Sequence, residues 1–346
     1  MAEMQALVKL REGPGLALQT VPVPEPGPDE VLVRVRAAAI CGTDLHIAAW
    51  NDWAQHAGVR LPLVLGHEFS GEVAGVGAGV RHLKQGDYVA GETHLPCGEC
   101  YQCRNGSSHI CQHLKLFGLH RDGCFAEFAT IPAQCACPVP AAVPPHVAAI
   151  LEPLGTSLRA VQTLDVSGAS LVVIGCGPIG LFAVAAAKAL GASQIIGLDV
   201  REERLALARQ LGCTMALDPR QPTVLDRILD ATAGVGVDAM VEASGSARAL
   251  EAAFAYLRKG GRCALIGLPS EPVRLNLGPD VVFKEATLIG IHGREMFRTW
   301  TRMFSLLTSG RLGVDPIITH VLPLHRYQDG LAVLEAGQAA KVILEP

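Results

Sequence analysis

The 346-residue sequence has no marked excess of charge of either sign: 29 Lys and Arg stand against 33 Asp and Glu, a net −4. Nucleic-acid binding calls for a basic face that this balance does not supply, so small molecules are the expected partners. Long apolar runs are also missing. The most apolar helical stretch, Leu181–Leu190, is short and interrupted by Lys188, which argues against a membrane span. The opening Met1-Ala-Glu-Met-Gln lacks the basic start and apolar centre of a signal peptide, so secretion is not expected. No internal repeat or low-complexity tract is evident. Nor are the eleven cysteines spread as a disulfide framework would be; the number is odd and four crowd into one segment. Reduced thiols and bound metal are expected, and with them a cytoplasmic location.

What is present divides the chain in two, as its length leads one to expect. From Met4 to about Ala90, short β-branched runs such as Ala6–Leu10, Leu16–Val21 and Ser70–Ala74 are broken by Gly and Pro. The alternation in Val31-Leu-Val-Arg-Val-Arg predicts strands with one solvated face. Near Ser157 the composition turns Ala- and Leu-rich and strands alternate with helical patterns, the signature of an α/β domain. The tail from Ile317 to Leu344 reads as strand, amphipathic helix and strand, and such a tail can rejoin the first domain.

Two clusters in the first half carry chemistry. Cys41-Gly42-Thr43-Asp44-Leu45-His46 follows an apolar segment, and alone its Cys reads as buried filler. Gly66-His67-Glu68-Phe69 adds an imidazole and a carboxylate, and sulfur, nitrogen and oxygen donors together suit tetrahedral zinc with one position open. Glu152 offers a further, exchangeable carboxylate. The second cluster, Cys97-x2-Cys100-x2-Cys103-x7-Cys111, has the two-residue gaps that let thiolates converge on one ion. An iron–sulfur cluster would also accept four thiolates, and zinc is favoured by the neighbouring Cys/His/Glu set. His94, in Gly91-Glu92-Thr93-His94, is by default a surface imidazole, with a place near the substrate as its alternative.

In the second half, the apolar run Ser170–Ile174 leads into Gly175-Cys176-Gly177-Pro178-Ile179-Gly180 and then a helix-forming stretch. Gly175 makes the tight turn, Gly177 lets backbone approach a pyrophosphate, and Gly180 permits close helix–strand packing. Asp199 follows the next strand, at the position that accepts hydrogen bonds from an adenosine ribose and repels a 2′-phosphate. NAD is therefore favoured over NADP, although Arg201 and Arg204 are near enough in sequence to accommodate a phosphate. Ile266, Gly267 and Leu268 end another strand, where such sheets bind ligands, and apolar core is the competing reading for Ile266 and Leu268.

These words, together with Trp50-Asn-Asp-Trp53, Gly123-Cys-Phe-Ala-Glu127 and Gly293-Arg-Glu-Met-Phe297, resemble the zinc-dependent medium-chain alcohol dehydrogenase superfamily over essentially the whole chain. The resemblance implies an α/β plus mainly-β architecture. A GroES-like β-rich catalytic domain would span 1–156, with a structural zinc lobe at 97–111. A Rossmann coenzyme domain with a doubly wound parallel sheet would span 157–297, and 298–346 would return to the catalytic domain. It implies one catalytic zinc at Cys41, His67 and Glu68, with Glu152 as a close or alternating ligand, and one structural zinc at Cys97, Cys100, Cys103 and Cys111. Thr43 and His46 match the family's proton relay and His94 a position that selects substrate. Cofactor contacts are implied at Ile179, Asp199, Arg204, Ile266–Leu268, Ile291 and His292; some relatives carry Tyr where His292 stands. The implied activity is NAD-dependent oxidation of a secondary hydroxyl, closest to the branch that acts on the 3-hydroxyl of L-threonine. Polyol and 2,3-butanediol dehydrogenases share the scaffold. A non-catalytic NAD- or zinc-binding protein is the alternative outside enzymes, and loss of the Cys41/His67/Glu68 set would be its mark. The family also implies a homotetramer, with Thr287–Ile291 as an interface strand.

Overall fold

The computed structural model describes residues 2–346. The chain forms two compact units: Met1–Glu152 with Glu295–Trp300 and Ile318–Pro346, and Pro153–Arg294 with Thr301–Ile317. The expected boundary at 156/157 thus moves to Glu152/Pro153, inside the helix Leu151–Leu164. The expected C-terminal segment, 298–346, is also divided. Residues 301–317 join the second unit, where Arg311 donates to the Ala189 carbonyl at 2.7 Å.

The first unit is β-rich. Its larger sheet has seven strands, in the order Ala136–Pro138, Tyr88–Gly91, Glu68–Val76, Glu30–Ala39, Lys341–Glu345 and Ile318–Pro323, with Phe128–Pro132 also pairing Glu30–Ala39. Val31, Val33 and Val35 point inward while Arg34 and Arg36 alternate outward, as period-two patterning requires. The buried side chains join Phe69, Val73, Ile131, Val342 and Leu344 in one core. A three-stranded sheet orders Ala17–Pro22, Glu3–Lys9 and Leu63–Val64. What matters for the site is register. Glu30–Ala39 runs antiparallel to Glu68–Val76 with Ala39 opposite Glu68, and antiparallel to Lys341–Glu345 with Ile343 opposite Ala39. Three distant pieces of sequence therefore meet just beyond Ala39.

The second unit holds a six-stranded parallel sheet in the order Met215–Leu217, Gln194–Leu198, Ser170–Ile174, Val237–Glu242, Leu257–Leu265 and Thr287–Gly290. In chain order this is 3-2-1-4-5-6, the doubly wound dinucleotide arrangement. The central strands are apolar on both faces because helices cover both. Val172, Ile196 and Met240 belong to a second core that excludes water from the sheet.

Candidate active site

The helix Gly42–Ala49 begins where the Glu30–Ala39 strand ends, and Cys41 is its N-cap. Asp44 closes a capping box by accepting the Cys41 N–H at 2.9 Å on Oδ2. Its other oxygen is buried, 3.6 Å from His67 Nδ1, and has no hydrogen-bond partner. A carboxylate facing Nδ1 leaves Nε2 as the nitrogen available to a metal. Donor atoms of Cys41, His67 and Glu68 all lie within 4.8 Å of one another. A thiol, an imidazole and a carboxylate this close, two of them buried, fit a divalent zinc ion by donor chemistry. Glu152 lies outside this set, on the first turn of Leu151–Leu164, yet near enough that its charge raises the Glu68 pKa.

Electrostatics around the donors are strong. Burial would lower the His67 pKa, but Asp44 and Cys41 outweigh it and raise it well above the usual histidine value. Burial pushes Glu68 up, to about 7, against the pull of Lys341 and His67. Lys341 is fully buried; its Nζ donates to Glu68 Oε1 at 2.7 Å and to the Ile40 carbonyl at 3.0 Å. Burial opposes its charge, and the Glu68 carboxylate more than compensates, raising the ammonium's pKa.

Thr43 and His46 share the Gly42–Ala49 helix. Thr43 Oγ1 is 3.8 Å from Cys41 Sγ, and His46 is exposed at the other end of the helix. His94 is buried, not on the surface. Its Nδ1 and backbone N–H both donate to Glu92 Oε1, at 2.9 and 3.0 Å, while Trp300 Nε1 donates to Glu92 Oε2 at 2.8 Å. A carboxylate only accepts, so Nδ1 carries the proton and Nε2 is the ring's remaining polar atom. Next to it, Thr93 Oγ1 donates to the His67 carbonyl at 3.0 Å, linking this strand to the donor set.

In the lobe, the four cysteines are free thiols. Sγ atoms of Cys100 and Cys103, and of Cys97 and Cys111, are 3.5 Å apart, and Cys100 and Cys111 3.7 Å. A tetrahedron with zinc–sulfur bonds of ≈ 2.3 Å has edges of about 3.8 Å, so the spacing suits one ion and is far too long for a disulfide. Backbone amides of Cys97, Cys100 and His113 point at the sulfurs. A further backbone contact, from the Cys103 amide, leads the influences that lower the Cys100 pKa to about 6.

The dinucleotide loop sits at the carboxyl end of Ser170–Ile174. Gly175 has φ +85°, and a Cβ there would meet Ser244 at 2.7 Å; a Cβ on Gly180 would lie 1.8 Å from the Gly175 carbonyl. Gly177 caps the helix Pro178–Ala189, whose proline occupies the first turn and whose amide end faces the loop. Asp199 accepts the Cys176 N–H at 2.8 Å and the Arg201 N–H at 2.9 Å, with Arg204 Nη1 at 3.5 Å. Gly175, Gly177, Asp199, Arg204 and Ser244 line a cavity of about 600 Å³. Ile179 also serves locally, its carbonyl accepting the Ser157 hydroxyl at 2.8 Å. Ile266, Gly267 and Leu268 follow the Leu257–Leu265 strand, with Leu268 86% exposed, so core packing is not its role. Ile291 donates to the Leu265 carbonyl at 2.9 Å and exposed His292 follows it.

Lys341, the hold of Glu92 on His94, and the contact of Trp300 with Glu92 escape sequence reasoning. The one available signal was a lysine heading the apolar strand Lys341–Glu345.

A β-rich unit with a mixed donor set and a four-thiol lobe, in one chain with a unit that carries a dinucleotide loop, defines a zinc-binding dehydrogenase. Family models agree: residues 27–141 match the alcohol dehydrogenase GroES-like domain and residues 178–309 the zinc-binding dehydrogenase model. The chain belongs to the zinc-dependent medium-chain alcohol dehydrogenase superfamily. Within it, the sequence is 44% identical over 346 residues to an L-threonine 3-dehydrogenase from Bacillus subtilis, covering 99% of each chain. By structure, it is similar to a zinc-binding dehydrogenase from Sinorhizobium meliloti 1021 bound to NADP, with TM-score 0.92, 30% identity and complete coverage of both chains. An alcohol dehydrogenase from E. coli CFT073 complexed with NADH gives TM-score 0.91 and 28% identity, also over both whole chains. No helix among the described residues is long and apolar enough to cross a membrane.

Proposed function

We propose that the protein is an NAD-dependent L-threonine 3-dehydrogenase that oxidises the 3-hydroxyl of L-threonine to 2-amino-3-ketobutyrate. The observation that carries this reading is the full-length 44% identity to the Bacillus subtilis enzyme in a chain whose mixed donor set is intact. Cys41, His67 and Glu68 hold one zinc, with Glu152 as a neighbouring carboxylate, and Cys97, Cys100, Cys103 and Cys111 hold the second. When bound, the first zinc supplies Lewis-acid polarisation of the substrate hydroxyl and the dinucleotide supplies the hydride acceptor. The chain handles the proton: Thr43, beside the donor set, takes it, and His46 at the exposed end of the same helix passes it to solvent. His94, fixed by Glu92, contributes to substrate selection.

Asp199 supports NAD over NADP, because a second anion at the ribose would face its carboxylate. The cofactor meets the chain at Gly175, Gly177, Ile179, Gly180, Asp199, Arg204, Ile266, Gly267, Leu268, Ile291 and His292. A homotetramer accords with Thr287–Gly290, which lies at the end of its sheet with one strand partner. A cytoplasmic location suits a site that needs four reduced thiols.

The test is a steady-state comparison of L-threonine, 2,3-butanediol and sorbitol with NAD and NADP, with zinc counted on the same sample. L-Threonine with NAD is expected to have the highest kcat/KM, with about two zinc ions per chain. Preference for a polyol by about an order of magnitude would overturn the substrate assignment.

A further inference from the structure

We propose that Asn51 is a positioning residue that decides which nitrogen of His46 carries the proton. The inference rests on the proton-handling role given to His46 above. Asn51 is the N-cap of the short helix Asp52–His56, and its Oδ1 accepts the Ala54 N–H at 3.1 Å. A backbone N–H can only donate, so the oxygen of the amide must face Ala54 and the NH2 must face away. That NH2 lies 2.7 Å from His46 Nδ1. It too can only donate, so Nδ1 accepts with its lone pair, and the neutral ring carries its proton on Nε2.

The surroundings hold this arrangement. The Trp53 ring, on the same short helix, lies 5.6 Å from the His46 ring, centroid to centroid, at 47°. The helix that carries His46 is tied down by the buried Lys9, whose Nζ donates to the Ala48 carbonyl at 3.3 Å. A proton taken up by the neutral ring enters at Nδ1, where the Asn51 NH2 already points. The amide must turn away, giving up its hydrogen bond to the ring, before Nδ1 can take that proton. Asn51 thus sets neutral His46 as a hydrogen-bond donor at Nε2.

Asn51→Asp is the informative variant. A carboxylate keeps the Ala54 cap with one oxygen and offers the other as an acceptor to His46, so the helix is preserved while the polarity of the contact is reversed. The full-length zinc-loaded protein is labelled with 15N-histidine, His46→Gln identifies the His46 signals, and the thermal midpoint of Asn51→Asp checks that the fold is kept. The wild-type protein is expected to show Nδ1 as the unprotonated nitrogen and Nε2 as the protonated one. In Asn51→Asp, Nδ1 becomes protonated, and kcat changes by about ten-fold, a fraction of what general acid–base catalysis supplies, while the NADH dissociation constant stays within about two-fold. Wild-type His46 protonated at Nδ1, or an unchanged 15N pattern in Asn51→Asp, overturns the proposal. If the pattern inverts while His46→Gln keeps full kcat, the tautomer lock stands and the relay reading fails.

Discussion

Lys341 is the residue on which the donor set most depends, because its ammonium is the closest positive charge to a fully buried carboxylate. Breaking a buried ion pair by removing one partner leaves an uncompensated charge. Lys341→Met should therefore cost about 3–5 kcal/mol, read as a lower urea midpoint. A change below about 1 kcal/mol would mean that Glu68 sheds its charge instead. Protons also compete with metal here. His67 and Glu68 both have raised pKa values in the metal-free fold, so both bind protons that zinc must displace. Zinc affinity should accordingly be full above both raised values and fall as pH drops through them, with Glu68 taking up its proton at about 7. Chelator competition across that range checks it, and a flat profile would contradict it. The ligands themselves were legible in the sequence because sulfur, imidazole and carboxylate stand in short words. Lys341 was not, since its partner lies 273 positions away and nothing in the local pattern marks a lysine as buried.

Among the elements, the loop and helix Gly175–Ala189 were the most legible, because strand, glycine turn, helix and the later Asp199 each test the others. The same geometry makes a demand. A methyl group on Gly180 would overlap the Gly175 carbonyl at 1.8 Å, and backbone cannot yield as a flexible side chain can. Gly180→Ala should weaken NADH binding by about ten-fold or more, measured by fluorescence titration, while zinc content is unchanged. Unaltered affinity would show that the loop relaxes freely. The C-terminal elements were legible only in part. The sequence announces strand, helix and strand, but the apolar pattern of Arg298–Thr308 does not say which core receives it. Its residues from Thr301 on go with the nucleotide unit, and Lys341–Glu345 goes back to the first sheet. That division depends on packing across long separations, which periodicity does not encode.

At the scale of the whole molecule, the chemistry is shared between two units that each have their own core. Donor atoms for metal come from the first unit, and the dinucleotide cavity is lined from the second. Damage confined to one should therefore leave the other's binding intact. Cys41→Ser is the direct probe. It removes the only sulfur in the mixed donor set while leaving the N-cap position with a hydroxyl suited to it, so the helix Gly42–Ala49 should persist. Loss of Lewis-acid polarisation forfeits several kcal/mol of transition-state stabilisation, so NADH formation should fall by about a thousandfold or more. NADH affinity should remain within about two-fold, and zinc should drop by about one ion per chain, since the substitution leaves the four thiols of the lobe untouched. Full turnover by a variant holding only the lobe's zinc would remove the metal from the mechanism. A parallel collapse of NADH binding would instead show that the two units do not act independently.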